Sequence, residues 1–158
     1  MGPALTTYTA QNMGAGRWDR VCKGNRIGAA MSVAAVGTVS LGLYFLTAPL
    51  GGLFVPVQDA AAVVPQAVAF MRRMAPFFLF YALAESFSGA CCGTGDTVRP
   101  MILTLLSICL LRVLGILLVL PRQHTMECII DIYISSWIAA GIGFLILWQW
   151  EKNRVQKT

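Results

Sequence analysis

The sequence predicts an all-α membrane protein, a bundle of four transmembrane helices. Apolar residues make up 57% of the 158 residues and charged residues only 12%, whereas soluble domains contain about 25% charged residues. The mean hydropathy is +0.69. Four long runs are poor in charge, and about 20 apolar residues suffice for a helix to cross a bilayer. The strict polar and apolar alternation of a membrane β-barrel is absent, which leaves helices.

The first 26 residues are polar and basic. Arg17, Arg20, Lys23 and Arg26 follow one another at three-residue steps, which places them along one stripe of a helix. We therefore predict that residues 1–26 form a cytoplasmic, basic amphipathic segment at the membrane surface. This is not the pattern of a signal peptide, in which the charges come before a short apolar core. Here the charges come before an apolar run that is long enough to span the membrane.

The four spans are predicted at about 27–49, 66–92, 98–120 and 128–150, followed by a charged cytoplasmic tail at 151–158. The first span contains no charge and is expected to end near Pro49, with 50–60 as an external connection. Arg72 and Arg73 lie early in the second span and can snorkel to the interface. Pro121 is expected to close the third span, and tryptophans mark the ends of the fourth.

The distribution of Lys and Arg predicts the orientation. With the N-terminal segment inside, the cytoplasmic connections and tail carry eight Lys/Arg residues and the outer side carries three, which satisfies the positive-inside rule. The inner set is Arg17, Arg20, Lys23, Arg26, Arg99, Lys152, Arg154 and Lys157, and the outer set is Arg72, Arg73 and Arg122. The net charge of +5 is thereby explained by topology, and no nucleic-acid module is present.

A glycine-rich joint between the second and third spans has the composition of a tight interfacial turn. Gly93 and Gly95 permit conformations or close approaches that a Cβ disfavours. Asp96 is expected to cap the next helix by accepting a backbone N–H. Pro100 suits the first turn of that helix.

Two charged residues lie deep within the predicted spans. Glu85 is about 15 Å into the second span at about 1.5 Å per residue, where a charge costs at least about 2.5 kcal/mol and usually faces a cavity or a partner. Arg112 lies inside the third span and could pair with Glu85 or bond another helix. Asp131 is closer to an interface.

Other chemistry has little support in the sequence. The GTGDT at 93–97 lacks the remaining parts of a nucleotide-binding loop. His124 is the only histidine, and the five cysteines lack metal-binding or disulfide-scaffold spacing, so no metal site is expected. Gly24 with Gly28 and Gly89 with Gly93 form GxxxG pairs, which favour close packing of helices.

Several segments together resemble the multidrug and toxic compound extrusion (MATE) family. They are AQNMGAGRWDR at 10–20, LGGLFVP at 50–56, APFF at 75–78 and SGACCGTGDTVRPM at 88–101. The resemblance covers about 8–150 and implies a twelve-helix protein with two six-helix lobes. The chain is expected to correspond to spans nine to twelve of the C-terminal lobe, a partial chain without the N-terminal lobe.

The resemblance implies antiport of amphipathic, often cationic organic compounds against Na⁺ or H⁺ across the cell membrane, with no cofactor other than the coupling cation. In some members a carboxylate on the tenth helix contributes to cation coupling. That position corresponds to Tyr81, one helical turn before Glu85. The candidate cation-coupling or cavity residues are therefore Glu85, Tyr81 and Arg112, and the expected partners are membrane lipid, the organic substrate and the N-terminal lobe.

Other functions remain open at this stage. The chain could be a structural or assembly subunit that does not transport, or a protein similar to lipid or polysaccharide exporters. A small membrane redox enzyme using Cys91 and Cys92 is a third alternative, although adjacent cysteines form a strained disulfide and the usual CxxC is absent. An enzymatic function is not expected.

Overall fold

The computed structural model describes residues 1–119, 121 and 125–155, and this part of the chain consists of helices and the turns that join them. The helices are α1 (Gly2–Gly14), α2 (Trp18–Phe54), α3 (Val57–Met74), α4 (Phe78–Gly93), α5 (Val98–Thr104), α6 (Leu111–Leu118) and α7 (Met126–Val155). A 3₁₀ turn, Ala75–Phe77, joins α3 to α4, and a π-helical segment, Leu105–Leu110, joins α5 to α6. Four stretches of the described chain could cross a membrane by their length and composition: Trp18–Phe54, Gln58–Gly93, Val98–Leu118 and Met126–Val155. The predicted all-α bundle of four membrane helices is confirmed.

The first long helix extends past both ends of the predicted span 27–49. Pro49 lies inside α2 and does not end it. The helix ends at Phe54, because Val55 precedes Pro56 and adopts the extended conformation that a following proline favours. The predicted connection 50–60 is therefore wrong in its extent, since only Val55 and Pro56 separate α2 from α3.

The predicted segment 1–26 is helical but is not one surface helix. It divides at Gly16, which has a φ of +67°, into α1 and the beginning of α2. Helix α1 is packed into the bundle, with Leu5 and Thr9 buried. The bases Arg20, Lys23 and Arg26 lie on the first turns of α2, so they continue directly into the first membrane helix.

Both GxxxG pairs pack against α1. On α2, a methyl group at Gly24 or Gly28 would overlap the side chains of Tyr8 and Leu5. On α4, a methyl group at Gly89 or Gly93 would overlap the α1 backbone at Gly2 and Thr6. Small residues let helices approach closely in lipid, and these four glycines make room for α1 between α2 and α4.

Helix α4 is the centre of the bundle. It contacts α2 through a hydrogen bond of 2.8 Å between the Ser86 and Ser32 hydroxyl groups. On its α7 side, Phe87 packs with Phe144 and Trp148 in the main apolar cluster. The predicted second span is interrupted at Ala75–Phe77, where Ser40 of α2 donates a hydrogen bond to the Ala75 carbonyl.

Three segments that were predicted to be cytoplasmic meet at one end of the bundle. The rings of Trp18 and Trp148 are 6.0 Å apart, and the Thr94 hydroxyl lies 3.1 Å from Glu151 Oε1. At the opposite end, Arg73 binds Asp131 at 2.8 Å. Which of these two ends faces the cytoplasm stays a prediction.

The predicted C-terminal tail is helical as far as Val155, and Glu151 is buried, with only 1% of its surface exposed. The described part of the predicted charged tail thus continues α7, and its first residue packs on the bundle. The end of the third span at 120, Arg122, His124 and the last three residues of the tail lie outside the described residues.

Candidate functional site

One face of α4 is left open by the helices around it. Tyr81, Glu85, Ser88 and Cys92 are spaced by four, three and four residues, so they share one face of the helix. Tyr81 and Glu85 are exposed, and Ser88 and Cys92 are half-buried. We call these four residues the open stripe of α4. The prediction that Tyr81 and Glu85 could share a face thus has a geometric basis.

The carboxylate of Glu85 lies against the beginning of α1. A methyl group at Gly2 would collide with Glu85 Oε1 and would also press on the Glu85 carbonyl. The absence of a side chain at Gly2 is what lets the carboxylate extend past the end of α1. Glu85 is eight residues from the end of α4 at Gly93, about 12 Å along the axis at about 1.5 Å per residue.

Arg112 does not pair with Glu85, so the pairing considered from the sequence is wrong. Arg112 lies on α6, which packs on α7. Its Nε donates to the Ser136 hydroxyl at 3.0 Å, and its guanidinium lies 4.1 Å from the centre of the Tyr133 ring. Arg112 binds residues of α7 because α6 packs on that helix, and its depth along the span does not determine its partner.

A row of aromatic residues nevertheless connects Arg112 to the open stripe. The ring of Tyr133, over which the Arg112 guanidinium lies, is 6.4 Å from the ring of Trp137. Trp137 in turn lies 6.2 Å from Tyr81 and 5.1 Å from Phe78. Two of the three predicted site residues, Tyr81 and Arg112, therefore stand at the ends of one aromatic row, and Glu85 is one turn beyond Tyr81.

The glycine-rich joint forms a compact turn between α4 and α5. Gly93 is in close contact with α1, and Gly95 has a φ of +94°, a conformation in which a side chain would be strained. Asp96 Oδ1 accepts the Arg99 backbone N–H at 3.2 Å, and Asp96 Oδ2 binds the Arg99 guanidinium at 2.7 Å. Pro100 is buried in the first turn of α5.

A comparison with known protein families decides the affiliation. The family model described as MatE matches residues 1–118. The chain belongs to the MatE family. The resemblance read from the sequence motifs is thereby confirmed, and the family consists of membrane transporters. No significant match was found among the curated proteins or among the solved structures.

The environment of Asp96 explains why this acid of the MatE chain stays charged. Burial pushes the pKa of Asp96 upward, but the hydrogen bonds from the Arg99 backbone and guanidinium act in the opposite direction. The positive charges of Arg99 and Arg154 add to this effect, and the net result is a pKa below the ordinary value. Asp96 is therefore ionised at neutral pH and joins the α4–α5 turn to α5.

Metal and redox chemistry find no further support in the described part of this MatE chain. Within residues 1–119, 121 and 125–155, no group of three or more His, Cys, Asp or Glu side chains could hold a metal ion. Cys91 is buried in the main apolar cluster, while Cys92 belongs to the open stripe. The side chains of this adjacent pair thus diverge, and both cysteines are free.

Several residues of the site were missed in the sequence. Ser88 and Cys92 could have been found, because they lie three and seven residues after Glu85 and so share its face. Tyr133, Ser136 and Trp137 could not, since they lie on α7 and nothing local shows which way that helix turns. Gly2 was missed for the same reason, because its role depends on the approach of α1 to α4.

Proposed function

We propose that this chain is part of a cation-coupled antiporter, in which inward movement of Na⁺ or H⁺ drives export of amphipathic, often cationic organic compounds across the cell membrane. Membership of a transporter family is the starting point. The observation that carries the finer proposal is the position of Glu85 on the open stripe of α4. Glu85 is the only charged residue of Phe78–Gly93, and other faces of this helix pack against α1, α2 and α7.

The carboxylate of Glu85 requires a polar group, water or an ion beside it. An ionised carboxylate inside a membrane is costly unless it faces water, a partner or a bound cation. Tyr81 and Ser88 place hydroxyl oxygens one turn on either side of Glu85, and oxygen ligands are those that hard cations such as Na⁺ prefer. A proton or a sodium ion at Glu85 would neutralise the carboxylate, which is the property a coupling site requires.

The aromatic row suits the organic substrate. Tyr81 offers an exposed ring one turn from the acid, and the buried Trp137 packs behind it; cations bind to the faces of such rings within about 6 Å. We assign Arg112 a structural role, because its guanidinium is engaged by Ser136 and Tyr133 and holds α6 to α7. The N-terminal lobe, the expected partner, would cover the open stripe and complete the central cavity.

The test is replacement of Glu85 by glutamine in a full-length transporter that contains this segment. Glutamine keeps the shape of the side chain but cannot take up a proton or carry the charge that binds sodium. We expect Glu85→Gln to abolish efflux of a fluorescent organic cation driven by a proton or sodium gradient, with normal membrane insertion.

The matched control is Glu127→Gln, which neutralises an exposed carboxylate near Arg73 at the other end of the bundle. This variant should export like the parent. If Glu85→Gln exports as well as the parent at every external pH and sodium concentration, the coupling site lies elsewhere in the transporter.

A further inference from the structure

A groove runs along the outside of the bundle between α5 and α7. It encloses about 480 Å³, and most of its wall is aliphatic. Arg99 and Trp150 close its end beside the glycine-rich turn. The other lining residues are Ile102, Leu103, Leu106, Gly143, Ile146 and Leu147.

The length of the groove suits part of an acyl chain. From Arg99 to Leu106 the helix rises about 10 Å, which is about two thirds of one leaflet of a hydrocarbon core about 30 Å thick. Val98–Leu118 is the most apolar of the four candidate spans and the least buried by the rest of the chain. The exposed apolar face of this span is therefore expected to contact lipid.

A polar basin adjoins the groove and shares Arg99 with it. The basin encloses about 380 Å³ and is lined by the turn residues Thr94, Gly95 and Asp96 together with Val98, Arg99 and Arg154. The combined site is amphipathic, because an aliphatic channel leads into a polar pocket. Trp150 stands at the boundary, as tryptophan does at a membrane interface.

The charges at this boundary are arranged with the cations outward. The Arg99 and Arg154 side chains are 46% and 44% exposed, whereas the side chain of Glu151, which binds both, is 1% exposed. Asp96, the other acid, is 12% exposed. A ligand that approaches from outside therefore meets guanidinium groups before it meets a carboxylate.

The guanidinium of Arg99 is held in a fixed position. It stacks 4.2 Å from the centre of the Trp150 ring, and its Nη1 binds Asp96 and lies 3.9 Å from Glu151. Within the described residues, its Nε and Nη2 have no hydrogen-bond acceptor. Arginine forms paired hydrogen bonds with phosphate, so this side chain is prepared to bind one.

We propose that the groove and the basin together bind one anionic phospholipid, with an acyl chain between α5 and α7 and the headgroup phosphate on Arg99 and Arg154. The predicted orientation places this end in the cytoplasmic leaflet, where anionic lipids are concentrated and attract basic residues. The bound lipid would brace the α4–α5 turn against the end of α7. This site is separate from the open stripe of α4 and does not depend on the proposed antiport.

The experiment is native mass spectrometry of the whole chain in detergent, titrated with phosphatidylglycerol or with phosphatidylcholine. We expect phosphatidylglycerol to bind more tightly, by about fivefold for each of the two arginines, since a basic residue near a charged membrane surface contributes about 1 kcal/mol. Arg99→Gln should reduce this preference about fivefold, and Arg99→Lys should keep most of it. The matched control is Arg72→Gln, which removes an arginine at the other end of the bundle and should leave the preference unchanged.

Two further measurements test the groove. Ile146→Trp should fill it and weaken binding of both lipids, whereas Leu117→Trp, at an equally exposed position outside the groove, should not. Glycerol phosphate, which has the headgroup without the acyl chains, should not displace phosphatidylglycerol. Equal binding of the two lipids by the parent, an unchanged preference in a folded Arg99→Gln chain, or displacement by glycerol phosphate would each overturn the proposal.

Discussion

The open stripe of α4 and the surface of residues 101–118 are both exposed, and their chemistry is opposite. The open stripe of α4 presents a tyrosine, a glutamate, a serine and a cysteine. From Met101 to Leu118, the exposed large side chains are all aliphatic: Met101, Ile102, Leu105, Leu106, Leu110, Val113, Leu114, Ile116, Leu117 and Leu118. Exposure alone therefore does not show which surface meets the lipid.

The packing of the two regions differs in the same way. Helix α4 is enclosed by α1, α2 and α7 and buries eight of its residues, including Ala82, Phe87 and Ala90. Helix α6 buries none and is attached mainly through α7. The polar stripe on a helix that is enclosed on three sides supports the proposal that α4 faces a cavity or the N-terminal lobe. A helix that is almost bare and aliphatic is built to face lipid.

The largest expected effect comes from placing an acid on each exposed surface. Leu110→Asp puts a carboxylate on the aliphatic face, where a charged residue near the middle of a membrane helix costs about 2.5 to 3.5 kcal/mol. Ser88→Asp puts the same group on the open stripe, where a polar cover is already required. We expect the first variant to lose most of its folded protein in size-exclusion chromatography and the second to resemble the parent.

An equal loss of folded protein in Leu110→Asp and Ser88→Asp would contradict the distinction between the two surfaces. Leu110→Asn serves as the control, because it changes the size of the side chain similarly without adding a charge. Its folded yield should lie between those of the parent and of Leu110→Asp.

A smaller effect is expected from alanine at a glycine of each helix. At Gly89 the new methyl group would overlap the Gly2 backbone, which cannot turn away, and overpacking of this kind costs about 1 to 3 kcal/mol. At Gly115 the nearest atoms belong to the side chain of Ile132, at 2.8 Å or more, which is a milder overlap than the one at Gly89. Unfolding in a denaturing detergent should therefore show a clear loss for Gly89→Ala and a smaller one for Gly115→Ala.

Gly42 provides the matched control, because nothing lies within 4 Å of a methyl group built there. Gly42→Ala should be neutral or slightly stabilising, since alanine is the better helix former. A larger loss at Gly115 than at Gly89 would mean that α1 does not pack tightly on α4.

The smallest effect is expected at the turn that joins the two regions. Asp96→Ala removes the cap of α5 and should cost about 0.5 to 2 kcal/mol. Because the folded-state pKa of Asp96 is lowered, its charge stabilises the fold above the unfolded-state pKa of about 3.9. That contribution is lost as the pH falls through the lower folded-state value.

The measurement is the unfolding temperature between pH 7 and pH 3 for the parent and for Asp96→Asn, which keeps a capping oxygen but not the charge. The stability advantage of the parent should shrink as the solution is acidified below about pH 4. An advantage that is constant over the whole range would show that the charge of Asp96 does not contribute to stability.

The sequence by itself was sufficient for the fold class, the family and the turn. Charge-poor runs of membrane length are a local property, and so are the glycines, Asp96 and Pro100 at the 93–100 joint. The depth of Glu85 also follows from counting along one helix, and the shared face of Tyr81, Glu85, Ser88 and Cys92 follows from helical periodicity. All of these depend on residues that are close in the chain.

Only the tertiary structure decided which residues meet across helices. The depth of Arg112 in its span would have allowed a pair with Glu85. Because α6 packs on α7, Arg112 instead bonds to Ser136 and stacks on Tyr133. The N-terminal segment looked amphipathic, yet α1 is drawn into the bundle, because the glycines of α2 and α4 leave room for it. Glu151 was assigned to a charged tail, but it is buried against the α4–α5 turn, where Thr94 contacts its carboxylate. Each outcome depends on how helices are rotated about their axes, and this rotation is set by close packing between residues that are far apart in the sequence.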